Sequence, residues 1–366
     1  MEKILVLANH VLGIYSFRRE LIQSLIDEGH EVYISAPKDD KMEYFTKMGC
    51  KCIETPINRR GTNPLTDIKL LLNYLKIIMK VKPSIILTYT IKPNIYGGLA
   101  ARILNKMYIA NITGLGTVVE NKGMLQKVSL NLYRLALKQA QCVFFQNEEN
   151  KNFFESKKIA VGKHKLLPGS GVNLDYFKLM DYPRENKIEF IFIARIMKEK
   201  GIEQYLETAQ YITEKYPNTH FNILGNCEEE YIEQLKLLQS KGIITYHGRQ
   251  ADVRKFIKTS HCTIHPTYYP EGMSNVLLES AACGRPVITT DRSGCREIVE
   301  IGKTGYIIKQ KSSRDLIEKV ESFLQLDFSS KKHMGILGRK KVEQEFDRKI
   351  VVDAYLTEIE KKIRES

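Results

Sequence analysis

The sequence has no tryptophan, no paired-cysteine motif and no apolar run long enough to enter a bilayer. Its longest apolar stretch, Leu70 to Met79, is interrupted by Asn73 and Lys76, well short of the ~18 to 20 uninterrupted apolar residues of a spanning helix. A membrane-crossing segment is therefore not expected. The start, MEKILVLANH, holds one Lys and a short apolar run leading straight into polar residues, without the h-region and small-residue cleavage site of a secretory signal, which predicts a cytoplasmic chain. The seven cysteines (50, 52, 142, 227, 262, 283 and 295) are scattered and mostly set in apolar runs, and Cys50-Lys-Cys52 lacks the two-residue spacer of a redox or metal pair. Neither a disulfide framework nor a zinc site is predicted. Zinc-finger spacing, a helix-turn-helix signature and an aromatic-basic strand are also missing, so nucleic acid is not the expected partner.

What is present is 366 residues, 43% hydrophobic and 27% charged, enough at roughly 150 residues per domain for two domains with cores of their own. The net charge of +13 is uneven, with +10 accumulated by Asp175 and +3 over the remainder. A basic half attracts phosphorylated ligands, an anionic membrane surface or nucleic acid by the same Coulomb term, and a solvated basic surface has the same composition.

Short β-branched and aromatic runs alternate with amphipathic stretches throughout, the pattern of parallel sheets with helical crossovers. In the first half six strands are predicted: Lys3 to Ala8, Glu31 to Ala36, Lys51 to Thr55, Ser84 to Tyr89, Tyr108 to Ile112 and Cys142 to Gln146. Helices are predicted over Ser16 to Glu28, Thr66 to Lys80 and Asn94 to Leu104. After the loop Pro168 to Asn173 and the turn-prone Asp181 to Asn186, a second series follows: Ile188 to Ala194, His220 to Leu224, Ile243 to His247, Cys262 to Pro266, Pro286 to Thr290 and Gly305 to Lys309. Helices are expected from Ile202, Glu229, Val253 and Ser274. The reading is α/β, with two Rossmann-like domains over 1–175 and 176–346 facing across a cleft and a final helix over 347–366 expected to pack back on the first domain. Ligands of open parallel sheets lie beyond the strands' carboxyl ends, so the residues just after each strand matter most.

The most specific of these segments is Pro266-Thr-Tyr-Tyr-Pro-Glu271-Gly272-Met273-Ser274-Asn275-Val276-Leu-Leu-Glu279, where a strand passes through a loop into a helix. Glu271 sits in the loop and Glu279 about one and a half turns into the helix, so the two address different parts of an extended ligand. Gly272 and Ser274 would leave the first-turn N–H groups of Asn275 and Val276 available to an anion such as phosphate. An ordinary N-cap at Ser274 and a solvated Glu279 fit the same residues. The second segment, Ala194-Arg195-Ile-Met-Lys198-Glu-Lys200-Gly201, places a planar fork and a point charge where a strand turns into a helix, which suits a diphosphate. Preorganised cations there would stabilise the charge growing on a leaving diphosphate.

Taken in order, Arg195 with Lys200-Gly201, the Glu271 and Glu279 pair with Gly272, Asn275 and Val276 between them, and Gly284-Arg-Pro286-Val-Ile resemble family 4 of the retaining glycosyltransferases. The resemblance covers nearly the whole chain and implies the GT-B architecture, two Rossmann-like domains with the active site between them. It implies Arg195, Lys200 and Glu271 as catalytic residues. In the donor site it implies Gly13, Arg195, Lys200, Glu271, Gly272, Met273, Ser274, Asn275, Val276 and Glu279, with Glu271 on the sugar hydroxyls and Glu279 on the ribose. No Asp-x-Asp motif occurs, Asp39-Asp40 reads as a solvated turn, and no metal or cofactor is expected.

In the first half, Asn9 to Arg19 reads as a loop after the first strand, with Gly13 approaching the diphosphate and Arg18-Arg19 opening a helix. Many family members carry a His near the reaction centre where this chain has Asn111 and Thr113, and His10 is an imaginable substitute as base. The patterns Phe17-Arg18-Arg19, Arg59-Arg60-Gly61-Thr-Asn63-Pro64, Thr113-Gly-Leu-Gly116 and Gly169-Ser-Gly-Val-Asn173 resemble a bacterial subgroup that extends lipid-linked glycans for capsule, O-antigen or protein glycosylation. That implies a UDP-linked donor (UDP-GalNAc, UDP-Gal or UDP-GlcNAc), a polyprenyl-diphosphate-linked saccharide acceptor, and peripheral attachment to the anionic inner membrane surface. His10, Arg18, Arg59, Arg60, Asn111 and Thr113 are the candidate acceptor or membrane contacts, joined by Lys69, Lys76 and Lys80. Leu65 to Met79 is either an interfacial amphipathic helix or one packed on its own sheet. A sugar-nucleotide 2-epimerase of the same architecture and, less well supported, a nucleic-acid-binding protein are the alternatives.

Overall fold

The computed structural model describes residues 1–58, 61, 63–115, 123–184, 186–227 and 229–364. The candidates Arg59 and Arg60, and Gly116 of the Thr113 motif, lie outside them. Contacts divide the chain into two compact units, one of Met1–Ser170, Pro270–Met273 and Lys349–Ser366, the other of Gly171–Tyr269 and Ser274–Arg348. The first change of unit falls inside the loop Pro168 to Asn173.

The first unit is built on seven parallel strands: β1 (Lys3–Leu7), β2 (Glu31–Ala36), β3 (Lys51–Glu54), β4 (Ile85–Tyr89), β5 (Tyr108–Ile112), β6 (Cys142–Phe145) and β7 (His164–Leu166). Their order is β3-β2-β1-β4-β5-β6-β7. The pairs β1/β2 and β1/β4 are in parallel register, Leu5 opposite Tyr33 and Ile86. Side chains alternate across the sheet, so Ile4 and Val6 enter one core with Leu25, Ile34 and Tyr355, while Leu5 and Leu7 enter the other with Tyr74, Ile78 and Tyr108. Burial on both faces is why the central strands β1, β4, β5 and β6 read as near-continuous apolar runs.

The second unit has six parallel strands: β8 (Ile188–Ile193), β9 (Thr219–Leu224), β10 (Ile244–Tyr246), β11 (Cys262–His265), β12 (Val287–Thr290) and β13 (Gly305–Ile308), in the order β10-β9-β8-β11-β12-β13. Phe190, Phe192, Phe221 and Tyr205 pack its core with Leu316, Val320 and Phe323. In each sheet the strand order reverses once, between β1 and β4 and between β8 and β11. That reversal opens a crevice at the strands' carboxyl ends because the flanking crossovers leave on opposite sides.

Four expectations change. The first sheet has a seventh strand, β7, which is three residues long and shows no apolar run. The helix expected over Ser16 to Glu28 is two, Val11–Phe17 and Arg19–Asp27, separated at Arg18 with φ −136°. Asn9 to Arg19 is therefore not a loop, and Gly13 lies inside a helix. The stretch Asn94 to Leu104 opens with a π turn, Pro93–Gly97, before the helix Gly98–Ile103. Helices at Met42–Lys47, Met124–Ala136 and Glu148–Ser156 were not anticipated.

Candidate active site

In the second unit the residues of interest follow β8 and β11, the two strands at the reversal. Beyond β8 the chain passes the exposed Arg195, makes a tight turn over Lys198–Lys200, and enters the helix Ile202–Lys215 through Gly201 at φ +79°. A Cβ at Gly201 would run into the Pro266 carbonyl, so only glycine lets these two loops approach. They are tied by the Glu199 carbonyl, which accepts from the Tyr268 N–H at 2.9 Å and the Thr267 hydroxyl at 3.3 Å. That tie sets the ring of Tyr269 against both cations, with Arg195 Cζ 5.5 Å and Lys200 Nζ 4.7 Å from its centroid. Two cations converge on one ring, and a doubly charged anion is a ligand that suits both. Tyr269 was not singled out from the sequence, although it stands inside the most specific motif.

The helix Asn275–Ala282 begins at Ser274, whose extended backbone (φ −77°, ψ 101°) is that of an N-cap but whose hydroxyl makes no capping bond. The entry is fixed instead through the backbone, the Ser274 N–H donating to the Gly294 carbonyl at 2.7 Å. The first-turn N–H groups of Asn275 and Val276 thus have no side-chain cap, and the helix dipole favours negative charge in front of them. Glu279, farther along the same helix, is partly buried. Desolvation pushes its carboxyl up to about 7, with the nearby Arg348 cation pulling the other way. It is not a solvated helix residue, and Arg348, which opens the last helix, carried no sequence signal.

The Gly284-Arg-Pro286 signature has a structural explanation. Arg285 is fully buried, and among the described residues its guanidinium donates to main-chain carbonyls: Nε to Ile257 at 2.9 Å, Nη2 to Asp181 at 2.7 Å and to Lys258 at 3.0 Å, and Nη1 to Cys283 at 3.1 Å. It fastens the segment entering the second sheet to the loops around β11, with no group left for a ligand.

In the first unit, Pro270–Met273 is held by Asn147, whose Nδ2 donates to the carbonyls of Glu271 at 3.1 Å and Gly272 at 2.6 Å. A Cβ on Gly272 would strike the Thr113 carbonyl, so Gly272 and Thr113 are neighbours through the absence of a side chain. Met273 is buried against Gly169. Glu271 is partly buried.

Three first-unit candidates sit in other surroundings than expected. Gly13 does not present backbone to a ligand from a loop; a Cβ there would meet the His10 ring, so Gly13 makes room for that imidazole. Asn111 is fully buried, donates from Nδ2 to the Tyr355 hydroxyl at 2.7 Å, and its carbonyl accepts from Asn94 at 2.8 Å, so it is held within the core and not at a surface. Arg18 is 3% exposed, donates from Nη1 to the Phe17 carbonyl at 2.6 Å, and lies over the rings of Tyr89 and Tyr355. Burial takes it away from any membrane surface. His10 and Thr113 are partly exposed.

Residues 3–147 match the family model Glycosyl transferase 4-like and residues 181–341 the model Glycosyl transferases group 1. The chain is a glycosyltransferase, 4-like in its first half and group 1 in its second. A relative from Campylobacter jejuni subsp. jejuni, the N,N'-diacetylbacillosaminyl-diphospho-undecaprenol alpha-1,3-N-acetylgalactosaminyltransferase, is 27% identical over 331 residues, covering 86% of this glycosyltransferase and 87% of the relative. The UDP-Gal:alpha-D-GlcNAc-diphosphoundecaprenol alpha-1,3-galactosyltransferase of Escherichia coli is 22% identical over 81% of both chains. Among solved structures, a glycosyltransferase from Rickettsia africae ESF-5 superposes with a TM-score of 0.83 at 19% identity, covering 100% of this chain and 99% of that one. The fold of this glycosyltransferase is GT-B, in keeping with its two reversed parallel sheets.

Proposed function

We propose that this glycosyltransferase moves a sugar, with retention of anomeric configuration and without a metal ion, from a UDP-linked donor to a saccharide carried on a polyprenyl diphosphate, at the inner surface of a bacterial membrane. The observation that carries the reading is the pair of cations, Arg195 and Lys200, set over Tyr269 at the strand-order reversal of the second sheet. The names of the two curated relatives, both acting on diphospho-undecaprenol-linked sugars, support the acceptor class.

As the bond between sugar and phosphate lengthens, charge accumulates on the leaving oxygen, and fixed cations there lower the barrier more than they strengthen ground-state binding. Arg195 holds the diphosphate as a fork and Lys200 as a point charge. The N–H groups of Asn275 and Val276 add neutral donors, Glu271 takes the donor-sugar hydroxyls and Glu279 the ribose diol. No side chain is assigned as a covalent nucleophile: the acceptor hydroxyl attacks from the face the diphosphate leaves, and the departing phosphate takes its proton.

The test is product analysis. The purified enzyme, given a panel of UDP-sugars and an undecaprenyl-diphosphate-linked saccharide, should form an α-glycoside from an α-linked donor and keep its rate in EDTA. A β-glycoside, loss of turnover in chelator, or release of an epimerised sugar nucleotide in place of a glycoside would overturn it.

A further inference from the structure

The helix Pro64–Val81 answers both readings of its sequence at once, on opposite faces. Leu70, Tyr74, Ile78 and Val81 are buried, the first three joining the core beneath with Tyr108 and Leu130. A quarter to half turn around the barrel of the helix, Leu65 (76% exposed), Ile68, Leu72 and Met79 form an outward apolar stripe. Lys69, Lys76 and Lys80 run beside it, also exposed. The single acid of this helix, Asp67, is turned away and paired with Lys92 at 2.6 Å. A helix that simply packs on its sheet has no need of four large apolar residues in water.

The neighbouring helix in the same layer repeats the pattern. Met124–Ala136 buries Leu130, Tyr133 and Ala136, the first two in the same core, and turns outward Met124 (82% exposed), Leu125, Val128 and Leu135, with Lys127 and Arg134 among them and no acidic residue anywhere in its length. Ile103, at the end of the short helix that contacts both, is exposed as well. The helices across the same sheet differ: Arg19–Asp27 and Met42–Lys47 show water a mixture of both charges, including Asp27 and Glu43, and few large apolar side chains.

We infer that this helix layer of the first unit is the face that docks on an anionic phospholipid bilayer, through two helices lying flat with their apolar stripes in the headgroup boundary and their lysines on the phosphates. Charge selects this occupant. The outward faces of these two helices expose cations and no acid, which matches an anionic bilayer, whereas a second copy of the chain would set lysine against lysine; the helix Glu148–Ser156 on the same core, which exposes Glu148, Glu149 and Glu155, lies outside the docking face. Topology then gives the docking a purpose. Each helix runs antiparallel to the strands it connects, so Leu65, Ile68, Met124 and Leu125 lie toward the strands' carboxyl ends, where ligands of this sheet class bind. A lipid-linked sugar can keep its chain in the bilayer while its diphosphate and saccharide rise to that end. The inference rests on the proposed lipid-linked acceptor for its purpose, but not for its test.

The test is flotation of the full chain, without substrate, on phosphatidylcholine vesicles with and without phosphatidylglycerol. Binding should require the anionic lipid and weaken as salt rises. Reversing Lys69, Lys76 and Lys80 to Glu should lower partitioning by about tenfold or more. Leu72→Gln with Met79→Gln, and separately Val128→Gln with Leu135→Gln, should each release the protein at salt where the wild type stays bound. Reversal of Lys41 and Lys47 on the opposite layer should change little. All these positions are exposed, so melting temperatures should stay at the wild-type value. Equal flotation of the layer variants and wild type would overturn the inference, as would a concentration-dependent dimer that Leu72→Gln with Met79→Gln dissociates. Turnover on the lipid-linked acceptor in detergent without vesicle binding would sink the docking face and leave the proposed reaction standing; vesicle binding without any transfer would do the reverse.

Discussion

The two sheets reverse their strand order at the same place, yet they treat a cation there in opposite ways. Beyond β8, Arg195 lies open to solvent and shares Tyr269 with Lys200. Beyond β1, Arg18 is sunk at a helix break with its guanidinium 5.2 Å from the Tyr89 ring and 5.8 Å from Tyr355. Topology provides a crevice in both units, but exposure decides whether its cation meets a ligand or holds the fold. Burying a guanidinium is costly, and two aromatic faces with one carbonyl acceptor offset part of that cost while tying the helix break, β4 and the last helix together.

The largest expected effect breaks or keeps the first half of this contrast. Lys200→Ala should lower kcat by about 10²- to 10³-fold, the usual consequence of removing a group that stabilises transition-state charge, with an unchanged melting temperature. Arg195→Ala and Glu271→Gln should follow in steady-state assays with saturating acceptor. A Lys200→Ala enzyme turning over near the wild-type rate would show that the open cation pair is surface charge and not machinery.

Arg18→Met is the mirror experiment. Here stability should fall, by about 1–2 kcal/mol on the scale of a desolvated cation–π contact, while turnover at low temperature stays within a few-fold of wild type. Differential scanning calorimetry and kcat measured on the same sample separate the two. A variant as stable as the wild type but unable to bind acceptor would place Arg18 in the site after all.

How far the sequence could anticipate this contrast follows from period and exposure. Twelve of the thirteen strands were visible, the central ones because both faces are covered, leaving runs such as Ile-Leu-Val-Leu and Ile-Glu-Phe-Ile-Phe-Ile, and the edge strand β3, with no buried residue, from its short β-branched run alone. β7 was not, since His164, Lys165 and Leu166 pair along one edge with little burial. The break at Arg18 has no proline or glycine to mark it. The motif around Glu271 was legible because its spacing is local, whereas the partnership of Glu279 with Arg348 and of Asn111 with Tyr355 joins residues distant in the chain, which no local spacing encodes. Tyr269 stood in plain view, but its value comes from the Glu199 carbonyl that positions its loop.

Glu279 gives a smaller effect with a definite sign. Its carboxyl titrates near 7 in the folded chain and near 4.5 unfolded. Between those values the folded state binds more protons, so this residue's contribution to stability falls as pH rises from the unfolded value and levels off once the folded carboxyl has ionised. Glu279→Gln should therefore gain stability relative to wild type as pH rises from about 5 to 8, read as a widening melting-temperature difference. Donor affinity should move the other way in the wild type, tightening as pH rises through about 7, because the ionised carboxylate is the better acceptor for a ribose diol. A pH-independent difference in melting temperature would mean that the carboxyl is not desolvated.

The smallest expected effect is the most selective. Replacing an N-cap serine that bonds its helix costs ~1 kcal/mol, but the Ser274 hydroxyl makes no capping bond, so Ser274→Ala should shift unliganded stability by less than about 0.5 kcal/mol. The Ser274 N–H, which anchors the entry through Gly294, is untouched by the substitution. Stabilisation by UDP should also persist, since the proposed anion contacts are backbone N–H groups that alanine leaves in place. Gly201→Ala, by contrast, forces a side chain against the Pro266 carbonyl and should abolish the UDP-induced shift by moving Lys200 away from Tyr269. If Ser274→Ala instead costs the full value of a cap, the hydroxyl is bonding the first turn in solution, and the helix mouth loses its claim on a phosphate.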